Sequence, residues 1–209
     1  MQENYRMTDT DTMAVLLSEI QRKQWAKKGF YSTKITMDAK ETNIKGVLCA
    51  APFFVFLASI YRICLIHRAV LLDSNDPQFL PLLASIVIIC AIAHNLLHGA
   101  GWAITGKAGW DSISFRLNGL MPYCSCDLVL RKGSYLIGTV LPAIVLGVFS
   151  TVFLAIYPGT VSMLTLLINF LMAGKDCVIA LEIMKSNFTL IGNLPTETGF
   201  IGYTKQSVA

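Results

Sequence analysis

Two histidines four residues apart lie within a long apolar run, and a helix would place both on one face. The run extends over 79–104 and contains His94 and His98 in its second half. Residues i and i+4 share a helical face, so both imidazoles can approach one ion. Ionisable side chains are costly inside a hydrophobic span and usually serve a function there. The spacing is the one with which two histidines of a single helix bind zinc.

A zinc site of this kind needs a third protein ligand, and Asp176 is the best candidate. Carboxylate oxygen is a common zinc ligand beside histidine nitrogen. Asp176 opens an apolar segment, 176–184, that follows another at 161–172, and we expect the helix to break at 173–174. Asn169 would share the face of Asp176 if the helix continued, and could then orient its carboxylate by a hydrogen bond. Water would occupy the fourth position, where the metal lowers its pKa.

Each of these residues also has an ordinary structural interpretation. Two histidines at this spacing could form a polar contact between helices, and Asp176 alone could cap one. Cys90 lies on the same helical face as His94, where core packing is the expected role. Cys124 and Cys126 form a Cys-x-Cys pair that could bind metal, be redox active or contact a substrate, although packing in a hairpin explains them more simply. Taken together, the two histidines and the aspartate favour a metal site, and the predicted cofactor is Zn²⁺.

The composition is that of an integral membrane protein. The 209 residues are 54% hydrophobic and only 14% charged, and the mean hydropathy is +0.58. Such values are typical of chains that bury apolar helices in lipid. The net charge of +4 reflects basic residues near the ends of the apolar runs, which indicates membrane orientation and excludes a nucleic-acid partner.

The predicted fold is an all-α membrane protein with about four transmembrane helices and a short re-entrant β-hairpin-like loop. Apolar and polar residues alternate in 105–134, which predicts the hairpin. Irregular backbone at membrane depth has to line a protein cavity. The four spans are expected at roughly 46–66, 79–104, 135–157 and 161–184. They lie in a membrane domain, 46–186, between a cytosolic arm, 1–45, and a cytosolic tail, 187–209. The arm shows some helical periodicity over 8–28, but a partly ordered arm is the simpler expectation.

The distribution of Lys and Arg predicts the orientation. Basic residues concentrate in the arm and in 105–134, whereas the loop 67–78 has only Arg68. Positive loops remain in the cytosol, so both termini are predicted to be cytosolic in a multi-pass protein of the cell membrane. His94 then lies about 22 Å along the second span, in the cytosolic half of a core about 30 Å thick. The expected partners are the lipid bilayer and a membrane-protein or peptide substrate, and the oligomeric state stays open.

Five short elements, in order along 46–203, resemble those of a family of zincin peptidases of bacterial membranes. That family is distantly similar to the site-2-type intramembrane metalloproteases. The resemblance implies zinc-dependent hydrolysis of peptide bonds, with His94, His98 and Asp176 as the metal ligands. The matching elements are a His-x-x-x-His-Gly helix at 94–99, a Pro-Tyr-Cys-x-Cys loop at 122–126, a Tyr-x-Ile-Gly opening of a proline-containing span at 135–142, a Gly-x-Asp element at 174–176 and a Pro-x-Glu-x-Gly-Phe element at 195–200.

The chain departs from the family pattern at two positions. The loop has Ser125 where the family usually has histidine, and Asn95 stands where the family has its catalytic glutamate. In such enzymes that carboxylate takes a proton from metal-bound water. An amide cannot do so near neutral pH, and loss of general acid–base catalysis costs about 10²–10⁴-fold. The sequence therefore predicts a metallopeptidase with impaired activity or, alternatively, a non-catalytic scaffold that binds a partner helix. A metal transporter is disfavoured because the four spans contain no inverted repeat.

Overall fold

A computed structural model of the chain describes residues 9–65, 76–107, 109–118, 121–195 and 197–205. Within these ranges the chain is mostly helical, as predicted. The elements, in chain order, are α1 (Asp9–Lys27), β1 (Phe30–Thr36), α2 (Ala39–Ile60), α3 (Phe79–Thr105), β2 (Ile113–Asn118), β3 (Met121–Cys126), β4 (Leu130–Arg131), α4 (Lys132–Ile156), α5 (Thr160–Lys185), β5 (Leu190–Asn193) and β6 (Gly199–Lys205).

Four of these helices are long and apolar enough to cross a membrane, which confirms the predicted number of spans. The chain is therefore a membrane protein. Helix α2 begins at Ala39, seven residues before the first predicted span, because the Asp38 carboxylate caps it by accepting a hydrogen bond from the Glu41 backbone N–H at 2.8 Å. Most of the loop predicted at 67–78, with Arg68, lies outside the described residues.

The predicted break at 173–174 is wrong, because α5 runs without interruption from Thr160 to Lys185. Gly174 packs against Gly46 of α2 instead of ending the helix. A Cβ on Gly46 would lie 2.5 Å from the carbonyl carbon of Gly174, and a Cβ on Gly174 would lie 2.8 Å from that of Gly46. The two glycines thus let the backbones of α2 and α5 meet, a common use of small residues between membrane helices.

The predicted hairpin is present and packs on α3. Strands β2 and β3 pair antiparallel, with Ile113 opposite Cys126. A Cβ on Gly99 of α3 would lie 3.0 Å from Ile113 Cγ2 and 3.4 Å from Cys124 Sγ. The absence of a side chain at Gly99 therefore lets both strands approach α3 one residue after His98.

The arm and the tail supply three strands of a four-stranded antiparallel sheet that the residue pattern does not predict, and β4, just before α4, is the fourth. Its order is β1-β6-β5-β4, so the arm strand β1 pairs with the tail strand β6. On one face of the sheet, Ile191 and Phe200 pack with Trp102 and Ile183 of the helical bundle. The other face carries α1, so the part of the arm with helical periodicity is an ordered helix, which the favoured expectation of a partly ordered arm did not include.

Candidate metal centre

Helices α3 and α5 bring the three predicted metal ligands together. His94 Nε2 lies 2.8 Å from Asp176 Oδ2, and His98 Nε2 lies 3.2 Å from the same oxygen. The two Nε2 atoms are 3.1 Å apart. Among the described residues, these three are the group of His, Cys, Asp or Glu side chains close enough to hold one metal ion.

The group is largely shielded from solvent. Each histidine is 7% exposed, and the side chain of Asp176 is 15% exposed. A carboxylate in such surroundings is stable only if it is paired. The two imidazoles of α3 are its partners. Asp176 can therefore be buried on α5 because His94 and His98 both face it from one side of α3.

A backbone carbonyl of α4 fixes the orientation of His98. Its Nδ1–H donates a 2.8 Å hydrogen bond to Gly138 O, which leaves Nε2 as the ring nitrogen that faces Asp176. Metal-binding histidines are usually held in this way by their other ring nitrogen. Trp102 stacks on the His98 ring at a centroid distance of 5.3 Å, and its Nε1–H donates to Tyr135 O at 3.1 Å.

Gly138 was not among the predicted site residues, although it belongs to the Tyr-x-Ile-Gly element. A Cβ there would lie 2.1 Å from Trp102 Cδ1. The close approach of α4 to α3 therefore requires glycine, and this approach brings the Gly138 carbonyl to His98. No periodicity in the sequence points to that contact, because it joins two different helices.

The donor set fits zinc. Two ring nitrogens and one carboxylate oxygen converge on one point, and the hydrogen bond from His98 Nδ1 to Gly138 O leaves Nε2 as the nitrogen of that ring available to a metal. Ligands 2.0–2.1 Å from a tetrahedral zinc ion are about 3.3 Å apart, so these atoms need to separate by only a few tenths of an ångström. Within the described part of the chain, His94 Nδ1 is buried without a hydrogen-bond partner. His94, His98 and Asp176 would hold the ion and leave a fourth position open.

Asn95 lies beside the first histidine, with its amide directed back along α3. Its Nδ2 donates a 2.8 Å hydrogen bond to the carbonyl oxygen of Ala91. The amide thus bonds to its own helix, four residues earlier. This bond leaves the amide oxygen and one N–H of the side chain unused, and neither is a base near neutral pH.

Asn169 connects α5 to α4. The continuous helix does place it two turns before Asp176, but its Nδ2 donates to Ser150 Oγ at 2.6 Å. Its Oδ1 is buried and has no hydrogen-bond partner among the described residues. The side chain lines a cavity of about 150 Å³ between α2, α4 and α5. The observed hydrogen bond therefore joins two helices and does not orient Asp176.

Cys124 and Cys126 pack in the hydrophobic core instead of joining the three candidate ligands. They are 4% and 2% exposed and contact the cluster that contains Trp102 and Tyr135. Both are free thiols, as is the buried Cys90. Burial raises the pKa of Cys124 to about 12 and also raises that of Cys126. These thiols are therefore protonated at neutral pH, the form that packs well and reacts slowly.

Tyr123, the neighbour of Cys124, lies near the site but was not predicted to belong to it. Burial raises the pKa of its phenol to about 12, Arg116 opposes this shift, and the negative charge of Asp176 adds to it. The phenol is thus within electrostatic range of Asp176 and keeps its proton. The Pro-Tyr-Cys-x-Cys element, in which Tyr123 is a defined position, is the signal that could have identified it.

Four membrane-spanning helices with a buried His-His-Asp group define a membrane protein with a candidate metal site. The family model described as "Putative zincin peptidase" matches residues 86–190, half of the chain, from within α3 to the first residue of β5 and including all three candidate ligands. The chain belongs to this family. No curated protein and no solved structure matches it.

Proposed function

We propose that this protein is a zinc-dependent membrane metallopeptidase whose catalysis is impaired because Asn95 occupies the position of the general base. The convergence of His94, His98 and Asp176 within 3.2 Å of one another carries the proposal. When bound, zinc supplies a Lewis acid for a peptide carbonyl and acidifies a water molecule. Peptide-bond hydrolysis is the chemistry that this combination supports in a zincin.

The protein residues hold and shield the reacting groups. The Gly138 carbonyl keeps His98 in the tautomer that binds metal, and the Asp176 carboxylate offsets positive charge between α3 and α5. Because the site is largely dry, electrostatic interactions within it are stronger than in water. Asn95 cannot accept a proton, so hydrolysis in this chain lacks the step that a carboxylate would provide, at a cost of about 10²–10⁴-fold.

We further propose that the substrate binds as an extended peptide along the β2–β3 hairpin. An outer edge of a two-stranded ribbon can pair with a third strand and hold its peptide bonds in a fixed position. The contact of Gly99 with Ile113 and Cys124 supports this, since it positions the ribbon one residue from His98. Loss of substrate binding on shortening the hairpin, with zinc content unchanged, is the expected result. Unchanged binding would contradict it.

The proposed location is the cell membrane with both termini and the hairpin in the cytosol. Basic residues at the ends of α2, α4 and α5 support this orientation. A reporter that is active only in the cytosol, fused after residue 209, should be active, whereas one that requires export should be inactive. The reverse pattern would contradict the orientation.

The first test is the zinc content of the detergent-purified chain beside the double variant His94→Ala/His98→Ala. We expect about one zinc per chain in the wild type, since one set of three ligands converges. The matched control is Asn95→Ala, a change on the same helix that removes no ligand and should retain zinc. A wild-type chain without zinc after zinc is supplied would overturn the metal site.

The second test restores the carboxylate with Asn95→Glu and uses Asn95→Gln as the control of equal size. If an impaired enzyme is the right interpretation, cleavage of fluorescent casein should rise by about 10²–10⁴-fold in the glutamate variant alone. Zinc binding without cleavage in Asn95→Glu would favour the second candidate, a non-catalytic scaffold for a partner helix. The amide of Asn95 at the position of the base is the observation that favours that candidate.

A further inference from the structure

Helix α1 carries an exposed apolar stripe on one side. Met13, Leu16, Leu17 and Ile20 are 59%, 49%, 39% and 50% exposed. Their spacing of i, i+3, i+4 and i+7 places them on one face. Exposed apolar residues that form a contiguous stripe usually mark a contact with a membrane or another protein.

The stripe is not the face by which α1 packs on the protein. Ala14 is buried, and the Gln21 side chain donates a hydrogen bond to the carbonyl oxygen of Asp127. The Trp25 ring packs edge-on against Phe30 at 5.2 Å. At about 100° per residue, this packed face points about 120° away from the apolar stripe. The stripe is therefore directed sideways from the sheet and stays free while α1 is anchored.

Two lysines continue the apolar stripe toward the end of the helix. Lys23 and Lys27 are exposed and follow Ile20 and Leu16 along the same side of α1. Lysine stems can lie along an apolar surface while the ammonium groups reach lipid phosphates. A stripe with basic residues at one end is typical of helices that lie in the interface of anionic membranes.

The basic end of α1 lies where α4 enters the membrane. Phe30, three residues beyond the helix, lines a cleft with Arg131, Lys132 and Lys205 at the first turn of α4. This cleft therefore brings three cationic side chains to the strand that follows the basic end of α1. A negatively charged leaflet attracts such a cluster by about 1 kcal/mol per residue, so charge and position both favour lipid over a second protein.

We propose that α1 is a membrane-surface helix, which inserts the stripe of Met13, Leu16, Leu17 and Ile20 into the headgroup region of an anionic bilayer. Lys23 and Lys27 contact the lipid phosphates. The helix thereby fixes the position of the sheet, and through it that of the hairpin, relative to the membrane surface.

The test is fluorescence quenching by brominated lipid in nanodiscs that each hold one full-length chain. Leu17→Trp places a reporter in the stripe, and Glu19→Trp places one on an exposed position of the same helix, about 160° away. After subtraction of the wild-type emission, Leu17→Trp should be quenched at least about twofold more than Glu19→Trp. Equal quenching of the two, or quenching of neither, would overturn the proposal.

Charge reversal tests the role of the lysines. Lys23→Glu/Lys27→Glu in the Leu17→Trp background should lower quenching in phosphatidylglycerol discs, whereas Lys107→Glu, at an exposed basic residue just after α3 and outside this cluster, should change it little. If the two substitutions leave the quenching of Leu17→Trp unchanged, the proposed contact of the lysines with lipid phosphates is wrong. If Leu17→Trp emission changes only when two chains share a disc, the stripe binds a second copy and the proposal is wrong. Because no readout uses zinc or peptidase activity, the result is independent of the proposed function.

Discussion

Replacing Gly138 by alanine should damage both the packing of α3 on α4 and the metal site. The new Cβ would lie 2.1 Å from Trp102 Cδ1 and 2.4 Å from Trp102 Nε1. Carbon atoms pack at about 3.5–4.0 Å, so the helices have to move apart by roughly 1.5 Å. Trp102 cannot easily turn away, because it is buried, stacked on His98 and hydrogen-bonded to Tyr135.

The expected magnitude follows from two losses. Overpacking costs about 1–3 kcal/mol, and removal of the hydrogen bond from His98 Nδ1 to Gly138 O costs about 0.5–1.5 kcal/mol. The higher helix propensity of alanine offsets these losses by at most about 1 kcal/mol. We therefore expect a net fall of about 1–3 kcal/mol in the free energy of unfolding. Because the lost bond orients a metal ligand, zinc affinity should fall about 10–100-fold.

The assay is a zinc competition titration with denaturant unfolding of the same detergent-purified samples. Gly147→Ala is the matched control, since Gly147 is in the same helix and a Cβ there meets nothing within 4 Å. It should keep zinc affinity and be equally or slightly more stable. If Gly138→Ala and Gly147→Ala bind zinc equally and unfold alike, the Trp102 ring does not limit helix approach and the reasoning is refuted.

Two further predictions concern packing and pH. Gly46→Ala should lower the unfolding midpoint more than Gly133→Ala, because its Cβ would lie 2.5 Å from the Gly174 backbone while a Cβ on Gly133 meets nothing within 4 Å. A shift equal in both would contradict this. Folding raises the pKa of Cys124 to about 12, above an unfolded value of about 8.5. Its contribution to stability should be complete below that value and decline toward pH 12, by up to about 1.4 kcal/mol per pH unit. Denaturant unfolding should show a weaker decline for Cys124→Ala, and equal declines would contradict it.

The sequence was sufficient to predict the spans and the hairpin because both depend on local patterns. In lipid, a backbone has to satisfy its own hydrogen bonds, so an apolar run of about 20 residues forms a helix whatever its neighbours are. The period of an α-helix likewise determined that His94 and His98 share a face. Alternation of polar and apolar residues, which is also local, was enough to predict the paired strands β2 and β3.

The sheet of arm and tail could not be predicted in the same way. Strand β1 pairs with β6, with Phe30 opposite Lys205, and neither strand has a turn that joins it to its partner. Pairing of segments so distant in sequence is decided by where α2 and α5 place their ends. Residues 200–203 of β6 are buried on both faces between α1 and the bundle, so this strand also lacks the alternation typical of a half-exposed strand.

At the site, the sequence determined which side chains could bind a metal, and the tertiary structure decided which of them meet. Glycine is a helix breaker only where it gains nothing from packing, and Gly174 gains a backbone contact with Gly46 that keeps α5 continuous. The same continuity sets Asp176 against the histidines, while Asn169 bonds to Ser150 instead. The hydrogen bond from His98 to the Gly138 carbonyl depends on the distance between α3 and α4. The sequence of neither helix alone specifies that distance.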